Sequence, residues 1–152
     1  MNTAIALARL DRPVSMLARL GSDAFAGPLR DHLQANAVSL DLAVSAPEAT
    51  SLAVVSLDAS GLPSYTFRVG GTANFGWQAG ELPALGFGDW LHVASLAAIV
   101  PPGADVLIEW ARAQAGTVGG MSIDVNVRPS VLPDAEEYAR RTAGWLQVVG
   151  AA

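Results

Sequence analysis

Apolar and polar positions along the chain switch between two periodicities, and the switches mark out the elements. From Asn2 to Leu10 an alanine-rich run carrying Ile5, Leu7 and Leu10 favours helix, with Asn2 placed to cap it and Pro13 to end it. Val14 to Leu20 then reads as a short strand closed by Gly21. Ser22 or Asp23 is placed to cap a second helix, in which Phe25, Leu29 and Leu33 recur at four-residue steps. That spacing gives one apolar face for packing on a sheet, and Asn36 suits its C-cap.

Between Leu40 and Val69 the pattern changes to Ser, Thr, Val and Tyr alternating around turns at Ala46-Pro47 and Ser60-Gly61. It predicts three short antiparallel strands near 40–45, 52–58 and 64–69, with Asp58-Ala59-Ser60-Gly61 making the second connection a hairpin. Such an insertion, about 40–70, would project from the main sheet. After Gly70-Gly71 the α/β pattern returns: Trp90 to Leu96 as strand, Ala104 to Ala115 as helix, Met121 to Val127 as strand and Asp134 to Leu146 as helix. Val148-Val149 reads as the start of one more strand. Alternating strands and helices imply right-handed crossovers and a parallel sheet, hence an α/β fold in which 1–152 form a single, partial domain.

Composition narrows the classes. The 152 residues are 51% hydrophobic and only 15% charged, which suits strands covered on both faces and argues against disorder. The formal net charge of -5 disfavours a general nucleic-acid binder or a partner of anionic membranes. There is no cysteine, so disulfide and thiolate chemistry are excluded. The longest apolar stretch, Leu91 to Pro102, is interrupted by His92 and Ser95 and falls short of the roughly 20 residues of a membrane span, so it reads as a buried strand. The amino terminus has no basic residue before its apolar run, unlike a secretory signal. A soluble, cytoplasmic protein is expected.

Candidate chemistry concentrates at Asp124, Asn126 and Arg128. If the strand runs to Val127, alternation puts all three on one side at its carboxyl end, where open α/β sheets bind ligands. The arginine fork suits phosphate or carboxylate, and Asp and Asn suit hydroxyls. The same residues are also compatible with loop capping and a surface ion pair from Arg128 to Asp134 or Glu136. Ser95 ends its own strand and either lines the same edge or bonds to backbone. Tyr65 and Phe67 alternate to one face of a strand and Arg68 to the other; the aromatics either close over a ligand or pack within the insertion or against a second copy. His32 and His92 lack ligand-spaced partners and read as structural, so no metal site is expected. Trp77, Trp90, Trp110 and Trp145 are spread over different elements and read as packing residues. Neither Gly70-Gly71 nor Gly119-Gly120 has the strand-to-helix setting of a phosphate loop.

Four ordered runs resemble the ribokinase/PfkB family of carbohydrate kinases. Asn2 with the small Ala4, then Ala8-Arg9-Leu10, then Leu20-Gly21-Ser22-Asp23-Ala24-Phe25-Ala26-Gly27 match its first signature, although Asp11 stands where the family has glycine and its glycine pair would precede Met1. The run SLAVVSLDASGLPSYTF, with Gly70-Gly71-Thr72-Ala73-Asn74 after it, looks like the family's β-stranded lid. Leu91-His92-Val93-Ala94-Ser95-Leu96 with Pro101-Pro102-Gly103-Ala104-Asp105 resembles the strand and helix entry of fructokinase-like members. Asp124-Val125-Asn126-Val127-Arg128-Pro129 matches the D-x-N-x-R-P of fructokinase-like and ketodeoxygluconate-kinase-like members.

The resemblance implies a ribokinase-like fold, a partial parallel sheet flanked by helices with a small antiparallel β lid, corresponding to the family's amino-terminal portion. It implies sugar or sugar-acid contact at Asn2, Phe67, Arg68, Ser95, Asp124, Asn126 and Arg128, and a homodimer through the lid. ATP and Mg2+ are implied for the full-length family but not for this chain alone. The family's metal-side asparagine and glutamate motif, and its glycine-rich anion hole with the catalytic aspartate, belong to the other half, so no catalytic residue is expected here and phosphoryl transfer by this chain alone is not. The competing expectation is a noncatalytic binding or assembly protein, or the product of a decayed gene, that associates through the lid edge.

Overall fold

Three two-stranded sheets, two parallel and one antiparallel, organise the computed structural model, which describes residues 1–152. Helix α1 (Asn2–Ala8) leads to β1 (Ala18–Leu20), α2 (Ala26–Ala35) and β2 (Ala43–Ser45). Strands β3 (Leu52–Leu57) and β4 (Pro63–Arg68) follow, then β5 (Trp90–Ala94), α3 (Gly103–Gln114), β6 (Gly120–Asp124) and α4 (Ala135–Val149). Short 3-10 turns cover Ala73–Phe75, Ala79–Glu81 and Ser95–Ala98. No helix is long and apolar enough to cross a membrane.

β1 and β2 pair in parallel across α2, and β5 and β6 pair in parallel across α3, from Trp90 opposite Gly120 to Ala94 opposite Asp124. Both are βαβ units; the alternating pattern predicts the second, whereas it assigns the β2 segment to the antiparallel insertion. Val93 and Met121 point from β5 and β6 into a core shared with Leu107 and Ala111 of α3 and Tyr138, Trp145 and Val148 of α4. Leu91 and Ile123 lie against it. Trp145, 1% exposed, donates its indole N–H to the Ala98 carbonyl at 2.8 Å, which satisfies its one polar atom inside the core. A smaller cluster of Ala4, Ile5, Leu33 and Val38 joins α1 to α2. Asn36, the C-cap of α2, holds the same two helices together: its side-chain oxygen accepts from Arg9 Nη2 at 2.7 Å and its amide donates to the His32 carbonyl at 2.8 Å.

Several elements differ from the expectation. The segment at 40–45 is not a third antiparallel strand: β2 is parallel to β1, and the antiparallel insertion is the β3–β4 hairpin alone. Local alternation marks a strand but not its partner. The first strand is only β1, preceded by an isolated parallel bridge from Ser15 to Ser39. Asn2 is the first residue of α1 and not its cap, a position held by Met1. Helix α2 starts at Ala26 without a side-chain cap, because Asp23 turns back on the Phe25 amide at 3.1 Å and reaches Thr50 with its carboxylate. Val148-Val149 completes α4 and begins no strand. At α4 the cap is as expected, with Asp134 accepting from the amides of Glu136 and Glu137 at 3.0 Å each.

Candidate functional site

The carboxyl ends of β5 and β6 lie side by side, since Ala94 is the register partner of Asp124. A left-handed residue follows each strand, directly after β5 and two residues past the end of β6. Ser95 has φ 52° and Asn126 φ 27°, a region that side-chain-bearing residues rarely occupy, and each turns the chain off its strand. Non-glycine residues held in this region concentrate at functional sites. Ser95, Asp124 and Asn126 therefore share one edge.

That geometry corrects the alternation argument. β6 ends at Asp124, so Asn126 and Arg128 are not on one strand face with it. They lie on an irregular segment fixed by Tyr138, whose hydroxyl donates toward the carbonyls of Val125 and Asn126, 3.3 Å each, and accepts from the Arg128 amide at 3.2 Å. Tyr138 is 6% exposed and was not visible as a site residue in the sequence; its only signal is the seven-residue step to Trp145 on the buried face of α4. The Arg128 guanidinium is exposed and donates to the Val127 carbonyl at 3.1 Å, not to Asp134 or Glu136. Asp124 is exposed.

The other candidates lie on other elements. The β3–β4 register, with Ala53 opposite Phe67 and Leu52 opposite Arg68, puts Ala53, Val55, Leu57, Pro63, Tyr65 and Phe67 on one face and Arg68 on the other. Tyr65 and Phe67 stack with centroids 6.3 Å apart. Phe67 and Arg68 thus cannot line one face of the hairpin together. Asn2 is exposed at the start of α1.

The feet of the hairpin carry a polar network that the sequence did not announce. Arg19 on β1, 2% exposed, reaches Glu48 through both terminal nitrogens (3.2–3.3 Å), Glu81 through Nε (3.0 Å) and the Ala73 carbonyl through Nη1 (3.3 Å). Thr50 donates to Asp23 from its hydroxyl (2.6 Å) and its amide (2.8 Å). The Thr50 hydroxyl, followed by its amide, holds the Asp23 carboxyl below the usual carboxylate range. The Glu48 carboxyl is lowered too, by its own backbone N–H first and by Arg19 next. Ser51 Oγ lies 2.6 Å from Thr72 Oγ1 and 2.9 Å from Asn74 Oδ1.

The histidines and tryptophans divide. His92 Nδ1 is 2.9 Å from Ser122 Oγ and its Nε2 is buried without a partner, whereas His32 is exposed near the end of α2. Trp77 and Trp145 are core residues and Trp110 donates to the Pro83 carbonyl at 2.8 Å. Trp90 departs from the packing expectation: it is 66% exposed, with its ring laid over Gly120.

A profile of the pfkB family carbohydrate kinases matches residues 1–147. The chain belongs to this family. It is 31% identical to fructokinase of Klebsiella pneumoniae over 137 residues, which is 90% of this chain and 45% of that protein. Among solved structures, apo fructokinase of Vibrio cholerae superposes with a TM-score of 0.88 at 28% identity, covering 97% of this chain and 51% of that one. Fructokinase of Xylella fastidiosa with bound ATP superposes with a TM-score of 0.83 at 31% identity, covering 97% and 46%. This pfkB chain thus spans about half the length of the relatives it matches, and it corresponds to their amino-terminal portion with a ribokinase-like α/β fold.

Neither glycine pair of this pfkB chain has the strand-to-helix setting of a phosphate loop. Gly70-Gly71 lead into a three-residue 3-10 turn and not an α-helix. Gly119-Gly120 lie against the backbone of Phe87 and Asp89 and under Trp90, with no open cradle for phosphate. No three His, Asp or Glu side chains converge as a cation cage.

Proposed function

We propose that this chain is the sugar-binding half of an ATP-dependent sugar kinase, that its substrate is fructose or a related keto-sugar acid, and that it does not transfer phosphoryl by itself. The observation that carries the reading is the β5–β6 edge, where two strands of a pfkB fold end at Ala94 and Asp124 and the left-handed residues Ser95 and Asn126 follow them, with Arg128 two residues on. A sugar offers hydroxyls that both donate and accept. Asp124 accepts, Ser95 and Asn126 do both, and Arg128 donates to an anionic or ring oxygen. Asn2 and one face of the hairpin, carrying either Phe67 or Arg68 but not both, complete the proposed pocket when the hairpin acts as a lid over this edge. The named fructokinases among the relatives favour fructose over a sugar acid.

Phosphoryl transfer requires positioned phosphates, a cation and a group that takes the accepting proton. In the parent kinase these are expected from the half not represented here, with ATP and Mg2+ bound there. The test is a panel of sugars, with fructose and ketodeoxygluconate included, measured by calorimetry and by a coupled ADP-release assay. Binding of one sugar without ADP release is the expected result. ADP release by the isolated chain overturns the half-site reading, and no heat with any sugar overturns the binding reading.

A second reading, assembly through the hairpin, has its own support. Val55, Leu57 and Tyr65 are 52%, 69% and 55% exposed on the apolar face of β3–β4. A bare apolar face next to two unpaired strand edges favours a second copy of the chain. A homodimer through the lid is compatible with sugar binding and is proposed alongside it.

A further inference from the structure

We infer that Arg19, with Asp23, is a positioning residue that fixes the angle at which the β3–β4 hairpin leaves the body, by clamping both of its feet to the end of β1. The inference rests on reading the hairpin as the lid of the sugar site and adds what aims it. The front foot is Glu48 to Ser51 and the back foot Thr72 to Asn74. Arg19 holds Glu48 in the first and the carbonyl of Ala73 in the second with one planar guanidinium. Asp23 takes the hydroxyl and amide of Thr50 in the front foot. The feet are then tied to each other, by the Ala73 amide donating to the Ala49 carbonyl at 2.9 Å and by the Ser51 and Thr72 hydroxyls at 2.6 Å.

The body is shaped to receive these groups. A Cβ on Gly21 would lie 2.8 Å from the Thr50 hydroxyl and 2.9 Å from both the Glu48 carbonyl and the Thr50 amide, so the front foot sits directly on that glycine. A Cβ on Gly76 would run into the Arg19 guanidinium. Arg19, Gly21 and Asp23 alternate, so the end of β1 and the turn after it meet the feet with every second residue. Beyond its feet the hairpin has little else to orient it: from Ala53 to Thr66 every residue is exposed. A guanidinium suits the task because its fork bonds to several acceptors in one plane, and a lysine ammonium does not reproduce that geometry.

The absence of native cysteine allows two labels to be placed without background. Spin labels at Ser64→Cys on β4 and Ala113→Cys on α3, both exposed, report the distance from hairpin to body by pulsed electron resonance. A single narrow distribution is expected for the otherwise native chain. Arg19→Met should broaden or shift it, Arg19→Lys should not restore it, and Glu48→Gln should give the same change in milder form if Arg19→Met does not fold. Leu33→Ala, which cuts the separate α1–α2 cluster, supplies the control: it should lower Tm and leave the distribution unchanged. Arg19 and Glu48 variants that lower Tm while keeping the native distribution would overturn the positioning role. The readout needs no sugar, so its failure is separable from failure of the lid reading, which predicts further narrowing on adding fructose.

Discussion

At Asp11 the backbone has φ 56°, just past the end of α1, with its amide donating to the Ala8 carbonyl and the Arg12 amide to that of Leu7. This is the left-handed residue that closes a helix, and glycine adopts it without a Cβ penalty. Asp11→Gly is expected to raise stability by about 0.5–1 kcal/mol, read as a higher urea midpoint at unchanged m-value; a lower midpoint contradicts the account. Asp23 gives the second prediction at this scale. Its carboxyl is lowered by the bonds from Thr50, so the folded state binds that proton less readily than the unfolded chain, and the stabilisation is present above the ordinary carboxylate range and lost as pH falls through the lowered value. In an acid titration followed by NMR, the Thr50 amide should move with a midpoint below roughly pH 3.9, the ordinary value for aspartate. Asp23→Asn should abolish that step, and a midpoint at or above the ordinary value would contradict the clasp. Single residues were legible where their partner is close in sequence. Asp134 caps α4 through amides two and three residues on. Arg19 was silent because Glu48 and Glu81 are 29 and 62 residues away.

Elements were legible to the extent that local pattern decides them. The helices α3 and α4 and the hairpin follow from periodicity and turn chemistry, with Asp58 accepting from the Ser60 hydroxyl at 2.7 Å and from the amides of Ser60 and Leu62 at the tip. Strand ends were not, because the turns at Ser95 and Asn126 depend on left-handed φ values in residues whose identity does not demand them. β2 was given the wrong partner for a related reason: three residues of alternation fit a parallel neighbour and an antiparallel one equally. The hairpin face supplies the prediction at this scale. Leu57→Asp with Tyr65→Asp puts charge on two exposed apolar positions of the proposed contact, and sedimentation should change from dimer to monomer with little change in Tm. A native chain that sediments as a monomer at all concentrations removes the lid-dimer reading.

For the molecule as a whole, two βαβ units and a hairpin join into half of a carbohydrate kinase fold, with the β5–β6 edge formed and the hairpin tied to β1. The family could be read from four short runs in order. The arrangement of the candidate site could not. It depends on Tyr138 reaching from α4 to hold Asn126 and Arg128 off the strand, a contact between residues 10 to 13 apart that no alternation encodes. The most direct test of the account is a fructose titration of the isotopically labelled chain, followed at the backbone amides. The account predicts that Ser95, Asp124, Asn126 and Arg128 shift together and saturably, and that Asn126→Ala removes the response while leaving the remaining spectrum folded. Saturable shifts elsewhere with these four unmoved, or no shift at any fructose concentration, would contradict it.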